Sequence, residues 1–150
     1  MISRNSKEIG CPLWFVDNFP VGIGLDGELW MGRGTFENVT SVLKSIGQPE
    51  QWEKMKYMIF DLPHSQLPYE ERITQLKKLS LPSHVILVES IKCRDNNHLL
   101  KMLNEVVSEG GEGLMLRRPQ SLYEAGRKSN VLLKVKVPFH CCPITFFDPR

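Results

Sequence analysis

Three side chains toward the C-terminal end are of the types and at the spacing to do chemistry: Glu112, Lys134 and Lys136. Glu112 follows Gly110-Gly111 and stands at the mouth of the apolar run Gly113-Leu114-Met115-Leu116-Arg117. Lys134 and Lys136 lie two residues apart in Leu132-Leu133-Lys134-Val135-Lys136. Side chains alternate along a strand, so both ammonium groups share one side while Leu133, Val135 and Val137 take the other. Two lysines side by side call for an anion, and a lone acid at the start of a strand suits a hard cation. The combination points to a site that handles phosphate, within a nucleotide-binding domain. Either half alone is also an ordinary solvated strand face or a surface acid near a turn; it is the joint pattern that carries the reading.

The elements that must position these residues alternate between strands and helices. Residues 1–4 read as a short strand and 10–20 as a loop broken by Pro12, Asn18 and Pro20. Residues 25–31 alternate as a strand with Asp26, Glu28 and Trp30 on one side, a pattern that an edge strand also shows. Thr35 is placed to cap a helix over 36–46, with Phe36, Val39, Val42, Leu43 and Ile46 at helical spacing and Gly47 as its stop. Residues 56–61 form a strand in which Phe60 fits either a core aromatic or a flat surface for a base. Residues 68–79 read as a helix, with Glu70 and Glu71 early and Lys77 and Lys78 late, as the helix dipole favours. A buried strand over 84–89 follows, then a helix from Asp95 or Asn96 through Val107. Strands at 113–117 and 131–137, and a possible one at 144–147, complete the order. The fold class expected is α+β, with mixed, largely antiparallel sheets and packed helices.

Composition excludes several classes. The 150 residues suit one compact domain or part of a larger one, and 41% apolar residues suffice for a core. A net charge of +2 is too small to argue for nucleic acid by itself. No run approaches roughly 18 apolar residues, and the first residues lack a secretory apolar core, so an intracellular location with no membrane partner is expected. Cys11, Cys93, Cys141 and Cys142 form no Cys-x-x-Cys pair, and His140-Cys141-Cys142 lacks zinc-site spacing; reduced thiols are expected. His64, His84 and His98 read as surface or loop residues. Arg117, Arg118 and Arg127 fit DNA-backbone contacts or plain surface charge equally well. There is no Gly-x-x-x-x-Gly-Lys-Ser/Thr loop, and no Gly-x-Gly-x-x-Gly opens a helix, so phosphate must be met by side chains on strands.

Five segments, Ile2-Ser3-Arg4-Asn5, Leu25-Asp26-Gly27-Glu28-Leu29-Trp30, Phe60-Asp61-Leu62-Pro63, Glu112-Gly113-Leu114-Met115-Leu116-Arg117 and Leu133-Lys134-Val135-Lys136, stand in one order. In wording and order they resemble the motifs of the adenylation domain of ATP-dependent DNA ligases, a nucleotidyltransferase (ATP-grasp-like) fold. The resemblance implies ATP and magnesium or manganese as cofactors, nicked double-stranded DNA as partner, and a monomer. It implies AMP transfer for nick sealing in DNA repair, replication and recombination. Carried over by position, Glu28 would bond the ribose, Phe60 would stack on adenine and Glu112 would hold the metal. Lys134 and Lys136 would contact the α-phosphate as catalytic groups, and Arg4 would bind nick or nucleotide phosphate. Residues 1–137 would then be part of an adenylation domain, incomplete at both ends, and 138–150 a divergent tail unlike the start of the family's β-barrel (OB) domain.

The family's nucleophile sits in Lys-x-Asp-Gly. Here Asp26-Gly27 is preceded by Gly24-Leu25, so the lysine position holds Gly24, and the chain alone is expected not to self-adenylate. Two other readings stay open at this point. One is an RNA ligase or mRNA-capping guanylyltransferase relative. The other is a non-catalytic module that binds nucleotide or nicked DNA.

Overall fold

A computed structural model of the chain describes residues 1–45, 48–126 and 130–137. Its elements in order are α1 (Leu13–Val16), β1 (Asp26–Trp30), α2 (Phe36–Lys44), a 3-10 helix (Pro49–Lys54), β2 (Lys56–Asp61) and α3 (Tyr69–Leu76), then β3 (Val85–Leu87), α4 (Asn96–Ser108), β4 (Leu114–Arg117) and β5 (Leu132–Val135). They form two sheets. In the larger, β2 is central, antiparallel to β1 and parallel to β3; the smaller is the antiparallel pair β4–β5. The α+β class with largely antiparallel pairing holds.

The larger sheet is organised by β2, whose burial alternates strictly. Tyr57, Ile59 and Asp61 are buried, and Lys56, Met58 and Phe60 are half-buried. That period of two turns one side of the sheet into the core. On that side Tyr57 and Ile59 join Phe15 of α1, Val42 of α2, Trp52 of the 3-10 helix, and Ile73 and Leu76 of α3. Phe15 and Trp52 meet edge to face, with ring centroids 4.8 Å apart. Truncating a residue such as Ile59, which has no exposed surface, costs about 2–5 kcal/mol by the usual cavity argument.

Several sequence expectations change. The segment 1–4 is no strand but part of a turn closed by an isolated bridge between Ile2 and Glu8. The loop expected over 10–20 contains α1, a single turn held by burial of Phe15. The 3-10 helix was unforeseen; it opens on Pro49 and buries Trp52. Thr35 precedes α2 but gives no side-chain cap, since its hydroxyl donates to the Gly32 carbonyl at 2.7 Å. Phe36 of α2 is 79% exposed, so Val39 and Val42 alone carry that helix's inward side. Lys77 and Lys78 fall just past α3. His84 is no surface residue: it bonds the Phe15 carbonyl at 2.7 Å and packs against the Phe15 and Phe19 rings. Ile46, Gly47, Arg127, the His140-Cys141-Cys142 run, the strand expected at 144–147 and the tail 138–150 lie outside the described residues.

Candidate functional site

Glu112 is delivered by a helix ending that needs glycine. α4 starts on Asp95, whose carboxylate accepts from the His98 amide at 2.8 Å. It ends with Gly110 at φ +83°, the Gly110 amide donating to Val107 and the Gly111 amide to Val106. This paired 5→2 and 6→1 ending reverses the chain. Gly113 then has φ +143°, and a Cβ there would collide with the carbonyl oxygen of Val135. Strict alternation from Leu114, which lies opposite Val135, would send Glu112 away from the lysines. The conformation at Gly113, open only to glycine, breaks that alternation. As a result Glu112 Oε2 lies 3.2 Å from both Lys134 Nζ and Lys136 Nζ.

The triad is open to water, with Glu112 76% exposed and the lysines about half exposed. The Glu112 carboxyl is held below its ordinary value, first by the hydrogen bond from Lys136 and then by that from Lys134, with both positive charges adding. Exposed pairs of this kind contribute little to folding. One carboxylate oxygen serves both lysines, and the other accepts no hydrogen bond among the described residues.

The remaining candidates lie elsewhere. Glu28 pairs with Met58, and Trp30 with Lys56, on the side of the larger sheet that faces away from the core. By the alternation of β2, Phe60 lies on this side too; it is half-buried and outside the core cluster. The Glu28 carboxylate has no hydrogen-bond or ionic partner among the described residues. Arg4 is exposed in the N-terminal turn. Glu112, Lys134 and Lys136 are therefore brought into direct contact, while Glu28, Phe60 and Arg4 make no contact with that triad. A Cβ at Gly24 would stand 2.5 Å from the His64 ring, so this position is packed against a side chain.

A buried cluster escaped the sequence reading. Asp61, with no exposed surface, accepts from Arg72 Nε at 2.6 Å, Arg72 Nη2 at 3.1 Å and the Leu62 amide at 2.8 Å. Arg117 Nη2 reaches the same carboxylate at 2.8 Å and is only 11% exposed. Arg117 is thus no surface or DNA-facing charge. Nearby, the Tyr123 hydroxyl donates to Asp26 at 2.8 Å. Burial, and then this bond to Asp26, push the Tyr123 hydroxyl up to about 12. Burial, and then the charge of Asp26, do the same for Tyr57. A signal for the cluster was present: the alternation that buries Tyr57 and Ile59 also buries Asp61, and a buried carboxylate needs cations.

These contacts orient the two sheets. Arg117 lies two residues beyond Met115, which pairs with Lys134, so Arg117, Lys134 and Lys136 share one side of the small sheet. Arg117 reaches the larger sheet from that side. Asp26, opposite Asp61 where the β1–β2 register slips, takes Tyr123 from the segment that follows β4. The small sheet is therefore tied, from its lysine side, to the Asp26–Asp61 end of the β1–β2 pair. No group of three metal-ligating side chains occurs among the described residues. A single carboxylate with a free oxygen still fits magnesium, which completes its shell with water and phosphate. An open cavity of about 430 Å3 between α2 and the 3-10 helix, lined by Met31, Asn38, Val42 and Lys54 among others, contains none of these candidate residues.

The fold is that of solved DNA ligases. A structure of a Lig E DNA ligase superposes with a TM-score of 0.82 at 34% identity, covering 91% of this chain and 54% of that one. A Chlorella virus DNA ligase-adenylate superposes at 0.73 with 26% identity, covering 91% and 55%. The sequence profile of the ATP-dependent DNA ligase domain matches residues 20–136, and the chain belongs to that family. A DNA ligase of Haemophilus influenzae is 32% identical over 135 residues, 88% of this chain and 50% of that protein. A DNA ligase 4 of Candida glabrata is 30% identical over 87 residues. The chain spans about half the length of the bacterial relative and of these two solved ligases.

Proposed function

We propose that this chain is the nucleotide-binding portion of a nick-sealing DNA ligase, with residues 1–137 as adenylation-domain sequence and 138–150 as a tail. Supporting this reading above all is one exposed carboxylate oxygen shared by two lysine ammonium groups, on the side of the small sheet from which Arg117 reaches the larger one. An α-phosphate would take the lysines from Glu112, and the freed carboxylate would hold magnesium or manganese. The metal would supply positive charge where it develops on phosphate oxygens. Phe60 would stack on adenine, a contact that contributes roughly 1–3 kcal/mol per base. Glu28, with its carboxylate unpartnered, would accept from ribose hydroxyls, and Arg4 would meet phosphate of the nucleotide or of the nick.

The partners are ATP and nicked duplex DNA. Within these 150 residues the place of the nucleophilic lysine is Gly24, so the chain binds nucleotide without trapping it. Calorimetric titration with ATP and magnesium tests the reading, with saturable binding expected and no binding contradicting it. Incubation with α-labelled ATP should leave no adduct that survives denaturation; a labelled band would show that another amine has taken the nucleophile's part. A gel shift with nicked against intact duplex tests the DNA partner, with preference for the nick expected.

A further inference from the structure

We propose that Arg117 and Tyr123 are positioning residues, which hold the lysine-bearing sheet at a fixed angle to the larger sheet. Its functional readout rests on the nucleotide reading above, while its structural readout does not. Asp61 carries one negative charge, and Arg72 of α3 already meets both carboxylate oxygens, at 2.6 and 3.1 Å. A second guanidinium is not needed to neutralise a buried acid; Arg117 comes from the other sheet, and its bond at 2.8 Å fixes where β4 ends.

Other ties converge on the same stretch. Arg72 Nη1 donates to the Ser121 carbonyl at 2.8 Å, and Glu70 accepts from the Gln120 amide at 2.9 Å. Tyr123 reaches Asp26, the residue opposite Asp61 where the β1–β2 register slips. The Tyr69 ring lies against both guanidinium groups, 5.6 Å from Arg72 and 5.3 Å from Arg117. The segment that joins β4 to β5 is therefore pinned to α3 by Gln120 and Ser121 and to β1 by Tyr123, and it leads to the stretch that carries Lys134 and Lys136. None of these residues touches the triad. They act on it by setting how the lysine-bearing sheet sits against the larger one.

The test uses the whole chain with Arg117→Met, Arg117→Lys and Tyr123→Phe. Residual dipolar couplings of backbone amides report sheet orientation. In the unaltered chain one alignment tensor should fit both sheets, and in Arg117→Met the β4–β5 amides should need their own. If one tensor still fits Arg117→Met and Tyr123→Phe, the positioning role is overturned. Affinity for ATP with magnesium should fall about tenfold in Arg117→Met and about threefold in Tyr123→Phe, losses on the scale of one hydrogen bond. Arg117→Lys should recover part of the loss. Unchanged affinity per folded molecule, with only a lower melting temperature, would make these residues purely structural and overturn the inference. Should Arg117→Met fail to fold, Tyr123→Phe, which deletes a single hydroxyl, carries both readouts. If the unaltered chain binds no ATP, the nucleotide reading fails and the dipolar couplings still decide the positioning claim.

Discussion

The molecule builds one carboxylate between two cations twice, in opposite surroundings. Asp61 with Arg72 and Arg117 is shut off from water, with Asp61 and Arg72 fully buried. Glu112 with Lys134 and Lys136 is more than half exposed at the carboxylate. In the buried cluster, desolvation makes an unpaired charge very costly, so its partners cannot be exchanged and it serves as a fixed joint. In the open triad, water can replace any partner at little cost, so a ligand phosphate can too. The cations differ accordingly. The planar guanidinium of Arg72 meets Asp61 in fork geometry, whereas the open site uses compact ammonium groups that suit a phosphate oxygen. Burial, not charge count, separates the joint from the site.

Removing Arg72 should break the contrast most severely. Arg72→Met leaves Asp61 with one cation, Arg117, and two backbone carbonyls without the Arg72 donor. A loss of about 3–5 kcal/mol is expected in urea unfolding; a change under about 1 kcal/mol would mean that the cluster is not the joint. Gly113→Ala should come next. It forces an unfavourable φ and a collision with Val135, costing roughly 1–3 kcal/mol from strain alone. It should also release Glu112 from the lysines, so the Glu112 carboxyl should titrate nearer its ordinary value by carbon-13 NMR.

Lys134→Ala should leave stability within about 0.5 kcal/mol, as exposed substitutions do. It should still weaken ATP binding by about tenfold or more. Lys101→Ala, which loses only an exposed contact to Glu105, is the control and should change neither. The smallest effect is in pH. Glu112 is lowered in the folded chain, so the triad's stabilisation is present above the ordinary carboxylate value of 4.5 and lost as pH falls through the lower folded value. Lys136→Ala should move that midpoint upward; an unmoved midpoint would deny Lys136 its contact.

Much of this was legible in the sequence because it is local. Alternation gave β1, β2, β4 and β5 to within a few residues, and Asp95 marked the start of α4 through its cap. The Gly110-Gly111-Glu112-Gly113 run announced an acid on a turn, and two lysines at alternate positions announced their shared side. What was hidden depends on contacts between distant segments. α1 and the 3-10 helix are single short stretches held by burial of Phe15 and Trp52, with no periodicity of their own. Arg72 and Arg117 look like surface charges until Asp61 is seen between them, and His84 looks like a loop histidine until the Phe15 carbonyl is found against it.

The proposed function requires the Glu112 triad and the outward side of β1–β2 to form one nucleotide site. Amide and side-chain NMR of the labelled chain, titrated with ATP and magnesium, addresses it directly. Shifts at Glu28, Phe60, Glu112, Lys134 and Lys136 should follow a single saturation curve. Shifts confined to one sheet, or two sets that saturate at different ATP concentrations, would contradict it.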